Sequence, residues 1–252
     1  MAKPQFGIQM YSVRDLCAED YLGTIRKIAD IGYKNVELAG YYGVSAKDLK
    51  AALADAGLNA NSAHIGLNYQ EPIADQVKSQ LEYAQELGLK RYIVPYYPLQ
   101  EETNEEGVAK MAAILTEAAE IVTAGGLEFG YHNHAFEFAK VNGVPAIDLL
   151  LERVSPQLIF AEFDLGWVKV GGEDPAAYLR KYAGRVPVVH AKDFKDDGVD
   201  TEIGRGTVDW DSALQAAEEA GVEYVIIEQE RYDVGSLESA KLNYAWFKER
   251  GW

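Results

Sequence analysis

Six short segments gather the side chains that can hold a cation or move a proton. They are Val36-Glu37-Leu38, Ser62-Ala63-His64, Tyr131-His132-Asn133-His134, Phe163-Asp164-Leu165-Gly166-Trp167, Val189-His190-Ala191-Lys192-Asp193 and Ile227-Glu228-Gln229-Glu230. The 4 histidines of the protein all fall within them. Successive side chains on a strand alternate faces, so residues two apart share one. That spacing groups His132 with His134, Glu162 with Asp164, His190 with Lys192, and Glu228 with Glu230. His132, Asp164, His190 and Glu228 then offer two imidazoles and two carboxylates from consecutive segments. Two negative charges balance one divalent metal ion. The mixed nitrogen and oxygen set suits Mn²⁺ first, with Zn²⁺, Co²⁺ or Fe²⁺ as alternatives, and suits Mg²⁺ less because Mg²⁺ prefers all-oxygen shells. The competing reading for Asp164 and Glu228 is a salt bridge with Lys192 or Arg205, and for Lys192-Asp193 a simple ion pair.

What must position these groups is an alternation of short β-rich runs and longer helical patterns from end to end. Strands are expected at Phe6–Val13, Asn35–Ala39, Asn59–Ile65, Arg91–Tyr96, Leu127–His132, Leu158–Asp164, Val186–Lys192 and Glu223–Glu230. Helices are expected at Ala18–Ile31, Ser45–Ala56, Pro72–Leu87, Glu105–Ala124, Ala146–Arg153, Asp174–Tyr182, Trp210–Ala220 and Ser236–Glu249. Several of these helices run into a glycine stop, as in Ala56-Gly57-Leu58 and Ala220-Gly221-Val222, where glycine takes the left-handed cap. Eight such units predict an α/β fold, a single (β/α)8 TIM barrel over residues 1–252. An open doubly wound sheet would carry a Gly-x-Gly-x-x-Gly first turn, whereas the first strand here leads into Tyr11-Ser12-Val13-Arg14. In such a barrel chemistry belongs at the C-terminal strand ends. That is the rim where His64, His132, His134 and His190 fall.

Composition narrows the function classes. A chain of 252 residues with 48% apolar side chains can bury a large core without staples. Its 24 Lys+Arg against 40 Asp+Glu leave a net charge of −16, which argues against nucleic acid and anionic membrane as partners. The 1 cysteine excludes an intramolecular disulfide and a Cys-rich zinc cluster. No stretch approaches a membrane span, and the opening Met-Ala-Lys-Pro leads straight into a strand-like run, so a cytoplasmic location is expected. A small molecule is the expected partner, and a homo-oligomer is left open.

The motifs resemble, over almost the whole chain, the xylose-isomerase-like barrels known as sugar phosphate isomerases/epimerases. Gly204-Arg205-Gly206-Thr207-Val208-Asp209-Trp210 and the opening Ile8-Gln9-Met10-Tyr11-Ser12-Val13-Arg14 carry the resemblance, together with Val36-Glu37-Leu38, Tyr131–His134, Phe163–Trp167, Val189–Asp193 and Glu228. It implies one divalent metal held by a Glu after the fifth strand, then an Asp, a His and a last Glu. Asp164, His190 and Glu228 match the last three, and His132 stands where the first Glu would be. In the epimerase pattern the two glutamates are also the paired acid/base groups, so this chain keeps one of the pair. A neutral imidazole in place of a carboxylate leaves the site one charge more positive and the metal a stronger Lewis acid.

The expected activity is a divalent-metal-dependent sugar isomerase or epimerase working through an enediolate on a keto or aldo sugar. The expected substrate is unphosphorylated, with a 3-keto sugar among the fitting candidates. A lyase, dehydratase or keto-glycoside-cleaving enzyme on the same barrel is the alternative, and a non-catalytic sugar-binding barrel a remoter one. Glu228 is the expected base, or His132 if it is not metal-bound, and Lys192 would stabilise oxygen charge or shuttle a proton. His64, His134 and Glu37 would bind hydroxyls, and Tyr11, Tyr96 and Trp167 would stack on a sugar C–H face. Arg205 is the one basic residue placed to meet an anion. An apurinic-site endonuclease, which shares the barrel ancestry, would need a histidine-rich zinc cluster, and 4 histidines are too few.

Overall fold

A computed structural model describes residues 3–252. Its eight central strands are β1 (Gln5–Gln9), β2 (Asn35–Ala39), β3 (Asn59–His64), β4 (Arg91–Val94), β5 (Glu128–His132), β6 (Ile159–Asp164), β7 (Val188–Ala191) and β8 (Tyr224–Ile227). They pair in parallel in chain order, and β8 closes on β1 to make the barrel. Both faces of such a sheet are covered, so its strands read as apolar runs. All six residues of β6 and all four of β4 and β7 are buried.

The helices around the barrel are α1 (Arg14–Ile31), α2 (Ala46–Ala56), α3 (Ile73–Leu87), α4 (Glu105–Ala124), α5 (Ala146–Arg153), α6 (Leu165–Val170), α7 (Pro175–Lys181), α8 (Trp210–Ala220) and α9 (Ser236–Glu249). Their boundaries follow local chemistry. The Ser45 and Asn104 side chains accept from the third residues of α2 and α4, Asp48 and Gly107, and Gly57 and Gly221 end α2 and α8 with φ of 65° and 81°. The long α4 turns Val108, Met111, Leu115, Ala118 and Val122 onto the barrel.

Three differences from the sequence reading bear on the rim. The first strand stops at Gln9, and the expected strand residues 10–13 form a 3₁₀ turn, Met10–Val13. The last strand stops at Ile227, so Glu228 sits just past the ladder, although its N–H still donates to Ala191 O (2.9 Å). The unexpected α6 follows β6 directly because Asp164 Oδ1 accepts from Trp167 N (2.8 Å) and caps it. Strand ends are set by where the neighbouring strand stops offering partners, which propensity does not encode.

Register aligns the chemistry. Asp164 lies opposite His190, Ile226 opposite His190, and His132 opposite Glu162. At the other end Arg91, fully buried, plugs the barrel: its Nε donates to Glu128 Oε2 (2.7 Å) and its guanidinium pairs with Glu223 (2.8 Å).

Candidate metal centre and active-site pocket

His132, Asp164, His190 and Glu228 come together: each offers a ligand atom within 4.8 Å of the others, and all four are buried. The oxygen that Asp164 does not use to cap α6, Oδ2, is buried without a hydrogen-bond partner. A buried carboxylate oxygen aimed among imidazole nitrogens and a second carboxylate lacks its partner unless a cation supplies one. The donor set and this orphaned oxygen fit a divalent ion with mixed nitrogen and oxygen ligands.

Lys192 stands at the edge of the same cluster. Its ammonium, 1% exposed, lies 3.2 Å from Glu228 Oε2 and 3.9 Å from Asp164 Oδ2, and it also pairs with Glu230. The salt bridge weighed as a competing reading for Glu228 and Asp164 is thus present on one side of them, with Lys192 rather than Arg205. It does not satisfy Asp164 Oδ2. Asp193 makes no pair with Lys192. Its carboxylate accepts from Phe194 N, Gly204 N, Gly206 N, Val208 N and the Trp210 indole at 2.9–3.1 Å, which moulds the Gly204–Trp210 loop.

Electrostatics separate the groups by role. Burial pushes Glu228 up, but Lys192 and His190 outweigh it and hold the carboxyl well below its usual range. Burial raises Asp164 to about 7, with Lys192 only partly opposing. His132 is driven well below the usual imidazole range by burial and by the charge on His190 and His64. His134 falls to about 4 through burial and the nearby Lys192. Both are neutral imidazoles at neutral pH. For Lys192, burial is overcome by Glu228, Asp164 and Glu230, so it stays charged.

A second polar layer lies directly beneath. Glu37 Oε1 accepts from Gln9 Nε2 (2.8 Å) and faces His190 Nε2 (2.7 Å), while its Oε2 accepts from Ser62. Glu162 Oε2 faces His64 Nε2 (2.6 Å) and His132 Nδ1 (3.2 Å). Glu37 was expected to bind a hydroxyl; the structure encloses it among these protein partners at 0% exposure. Sequence reasoning gave Glu162 no role. Its signal was its two-residue spacing from Asp164 inside an otherwise apolar strand. Glu137, also buried, accepts from Tyr131 Oη (2.6 Å) and His134 N (2.8 Å) and so fixes the loop carrying His134. Only a glutamate three residues beyond His134 hinted at it.

Above the cluster opens a cavity of about 350 Å³, lined by Tyr11, Ala39, His64, Pro95, Tyr96, His132, His134, Glu228 and Glu230. Tyr11 and Tyr96, 40% and 39% exposed, form its rim. Trp167, expected to stack on the sugar, is not among the residues lining this cavity; its ring lies 5.0 Å from the Lys192 ammonium and tilts against Phe194. Arg205 is not brought to this cavity; it is 57% exposed and pairs with Glu202 (3.2 Å).

Residues 25–250 match the family of xylose isomerase-like TIM barrels. The chain belongs to that family. It is 27% identical over 209 residues to an inosose dehydratase of Geobacillus kaustophilus, covering 75% of this chain and 67% of that enzyme. Among solved structures it resembles a sugar phosphate isomerase/epimerase from Parabacteroides distasonis, with TM-score 0.87, 25% identity, and coverage of 98% of this chain and 94% of that one. A D-allulose 3-epimerase from Methylomonas sp. shares the fold at TM-score 0.77 and 15% identity, covering 99% of both chains. Among the described residues, no helix is long and apolar enough to cross a membrane. Of the three similar proteins, one is named a dehydratase and two are named isomerases or epimerases.

Proposed function

We propose that this protein is a divalent-metal-dependent enzyme that removes the proton beside a ketone of a small, uncharged polyol or sugar and then expels a β-hydroxyl as water. The observation that carries this reading is one-sidedness. The carboxylates lining the cavity, Glu228 and Glu230, both follow β8, while the neutral imidazoles of His132 and His134 come from the end of β5 and the loop after it. Epimerisation through paired carboxylates needs one on each face of the sugar. Dehydration needs only one. Glu228, held ionised, accepts the α-proton, and the C–H electron pair moves toward the carbonyl oxygen. When the β C–O bond breaks, the hydroxide leaves with the proton that Glu228 had taken, and the carboxylate is regenerated. A metal held by His132, Asp164, His190 and Glu228 would supply Lewis acidity at the substrate carbonyl.

A cavity of about 350 Å³ is at the small end for ligand sites, which favours a single ring. Its lining contains two carboxylates and no Lys or Arg, and Lys192 beneath it is committed to carboxylates, which favours an uncharged substrate over a phosphorylated one. Similarity to an inosose dehydratase supports the elimination. A second reading, isomerisation or epimerisation through the same enediolate, is favoured by the neutral imidazole of His134, a second proton acceptor lining the cavity. Incubating the metal-loaded protein in D₂O with keto-inositols and keto sugars, followed by NMR, separates the two. Dehydration gives loss of the β-hydroxyl. Epimerisation gives deuterium at the α-carbon with inversion and no loss of water. Glu228→Gln is expected to slow either by about 10²-fold or more. Turnover at the wild-type rate in that variant would remove Glu228 as the base.

A further inference from the structure

We propose that Glu37 and Glu162 are positioning residues that fix the tautomers of His190 and His132, leaving Nδ1 of His190 and Nε2 of His132 for the cation. The inference rests on the metal-dependent reading above and assigns what lies beneath the ligand set. A ring that ligates a cation is neutral and gives the ion its unprotonated nitrogen, so the nitrogen turned to a carboxylate outside the ligand set carries the proton. His190 turns Nε2 to Glu37 Oε1 at 2.7 Å, and its Nδ1 is the nitrogen beside the ligand Glu228, 3.2 Å from Oε2. His132 turns Nδ1 to Glu162 Oε2 at 3.2 Å.

The two carboxylates are themselves held in place. Gln9 and Ser62 donate to Glu37, and His64 Nε2 lies 2.6 Å from Glu162 Oε2 and 3.1 Å from Glu37 Oε1. His64 therefore links both carboxylates, with its ring stacked on that of His190 at 4.9 Å and 12°. The result is a closed group of alternating imidazole and carboxylate atoms that cannot rotate without breaking several buried hydrogen bonds. The nitrogens of His64, His132 and His190 and a Glu162 oxygen also lie within 4.8 Å of one another, a set with the composition of a second metal site. The 2.6 Å separation of His64 and Glu162 is that of a charge-assisted hydrogen bond, which favours a shared proton there.

Nitrogen-15 histidine NMR of the full chain loaded with Zn²⁺ alone tests this without mutation. The expected spectrum has His190 protonated at Nε2 and zinc-shifted at Nδ1, with His132 the reverse, at one zinc per chain. The opposite tautomer at either ring overturns the assignment while leaving the metal site standing. Two zincs per chain with both nitrogens of these rings shifted also overturns it. If no zinc binds, the metal-dependent reading falls together with the assignment. A second measurement uses Glu37→Gln and Glu162→Gln, since an amide accepts either tautomer. Zinc affinity by chelator competition is expected to fall about 10–100-fold in each. Unchanged affinity in folded variants overturns the proposal.

Discussion

Replacing Lys192 with methionine removes the lysine ammonium that the structure places beside the candidate ligands. Met has a similar length, so packing on Trp167 is kept while the charge is lost. The ammonium is 1% exposed, 3.2 Å from Glu228, 3.9 Å from Asp164 and paired with Glu230. Removing one partner of a buried ion pair costs about 3–5 kcal/mol because the other charge is left uncompensated. At about 2–4 °C per kcal/mol for a chain of this size, the metal-free variant should melt about 6–20 °C below wild type. The experiment belongs at pH 8, above the value of about 7 to which burial raises Asp164 in the wild-type chain, and loss of Lys192 raises that carboxyl further. A bound divalent ion supplies the missing positive charge, and the variant lacks the ammonium that would repel it. Lys192→Met should therefore bind Mn²⁺ more tightly than wild type, and saturating Mn²⁺ should close at least half of the melting gap. Because Mn²⁺ stabilises wild type too, the gap closes by the difference in ligation energy, and closing half of it takes a Kd about 10–70-fold tighter in the variant. Thermal and urea unfolding with and without Mn²⁺ read both effects. A gap of the same size in both conditions, or one below about 2 °C, would refute the placement of Lys192 against the metal ligands.

Glu137 gives a pH-dependent prediction. Burial raises its carboxyl from 4.5 to about 7, with the bonds from Tyr131 and His134 only partly opposing. A carboxyl raised on folding lends stability that is full below the unfolded value and is lost as pH climbs through the folded one. Relative to wild type, Glu137→Gln should gain up to about 3 kcal/mol between pH 4.5 and pH 8 in urea unfolding, and parallel stability profiles would contradict this. Asp193→Asn should destabilise by about 3 kcal/mol or more, because one amide oxygen cannot serve the donors that the carboxylate holds in the Gly204–Trp210 loop. A loss below about 1 kcal/mol would show that the loop does not depend on it.

The architecture was legible because a parallel barrel repeats one simple signal. Strands such as Tyr224–Ile227 are apolar runs, helices such as α4 carry an apolar stripe, and glycines such as Gly57 and Gly221 mark the returns. The convergence of His132, Asp164, His190 and Glu228 was also readable, since period-two spacing and barrel closure bring consecutive strand ends to one mouth. The layer beneath was not. Glu37 and Glu162 are neighbours only through His64 and His190, and no spacing along the chain encodes a contact between β2 and β6 across the barrel. Glu137 sits in a loop, where a glutamate ordinarily reads as a solvated rim charge; its burial depends on the fold of residues 133–138. Arg205 shows the opposite failure. Its motif reads as an anion site, yet the loop is shaped by Asp193 from inside and leaves the guanidinium outside with Glu202.

The most direct test is an anomalous-scattering map from crystals of the wild-type chain grown with Mn²⁺. One peak per chain, bounded by His132, Asp164, His190 and Glu228 and absent from crystals of Asp164→Asn, is the expected result. No peak, or a peak elsewhere with Lys192 remaining the only cation beside Asp164 and Glu228, would contradict the metal centre and the chemistry built on it.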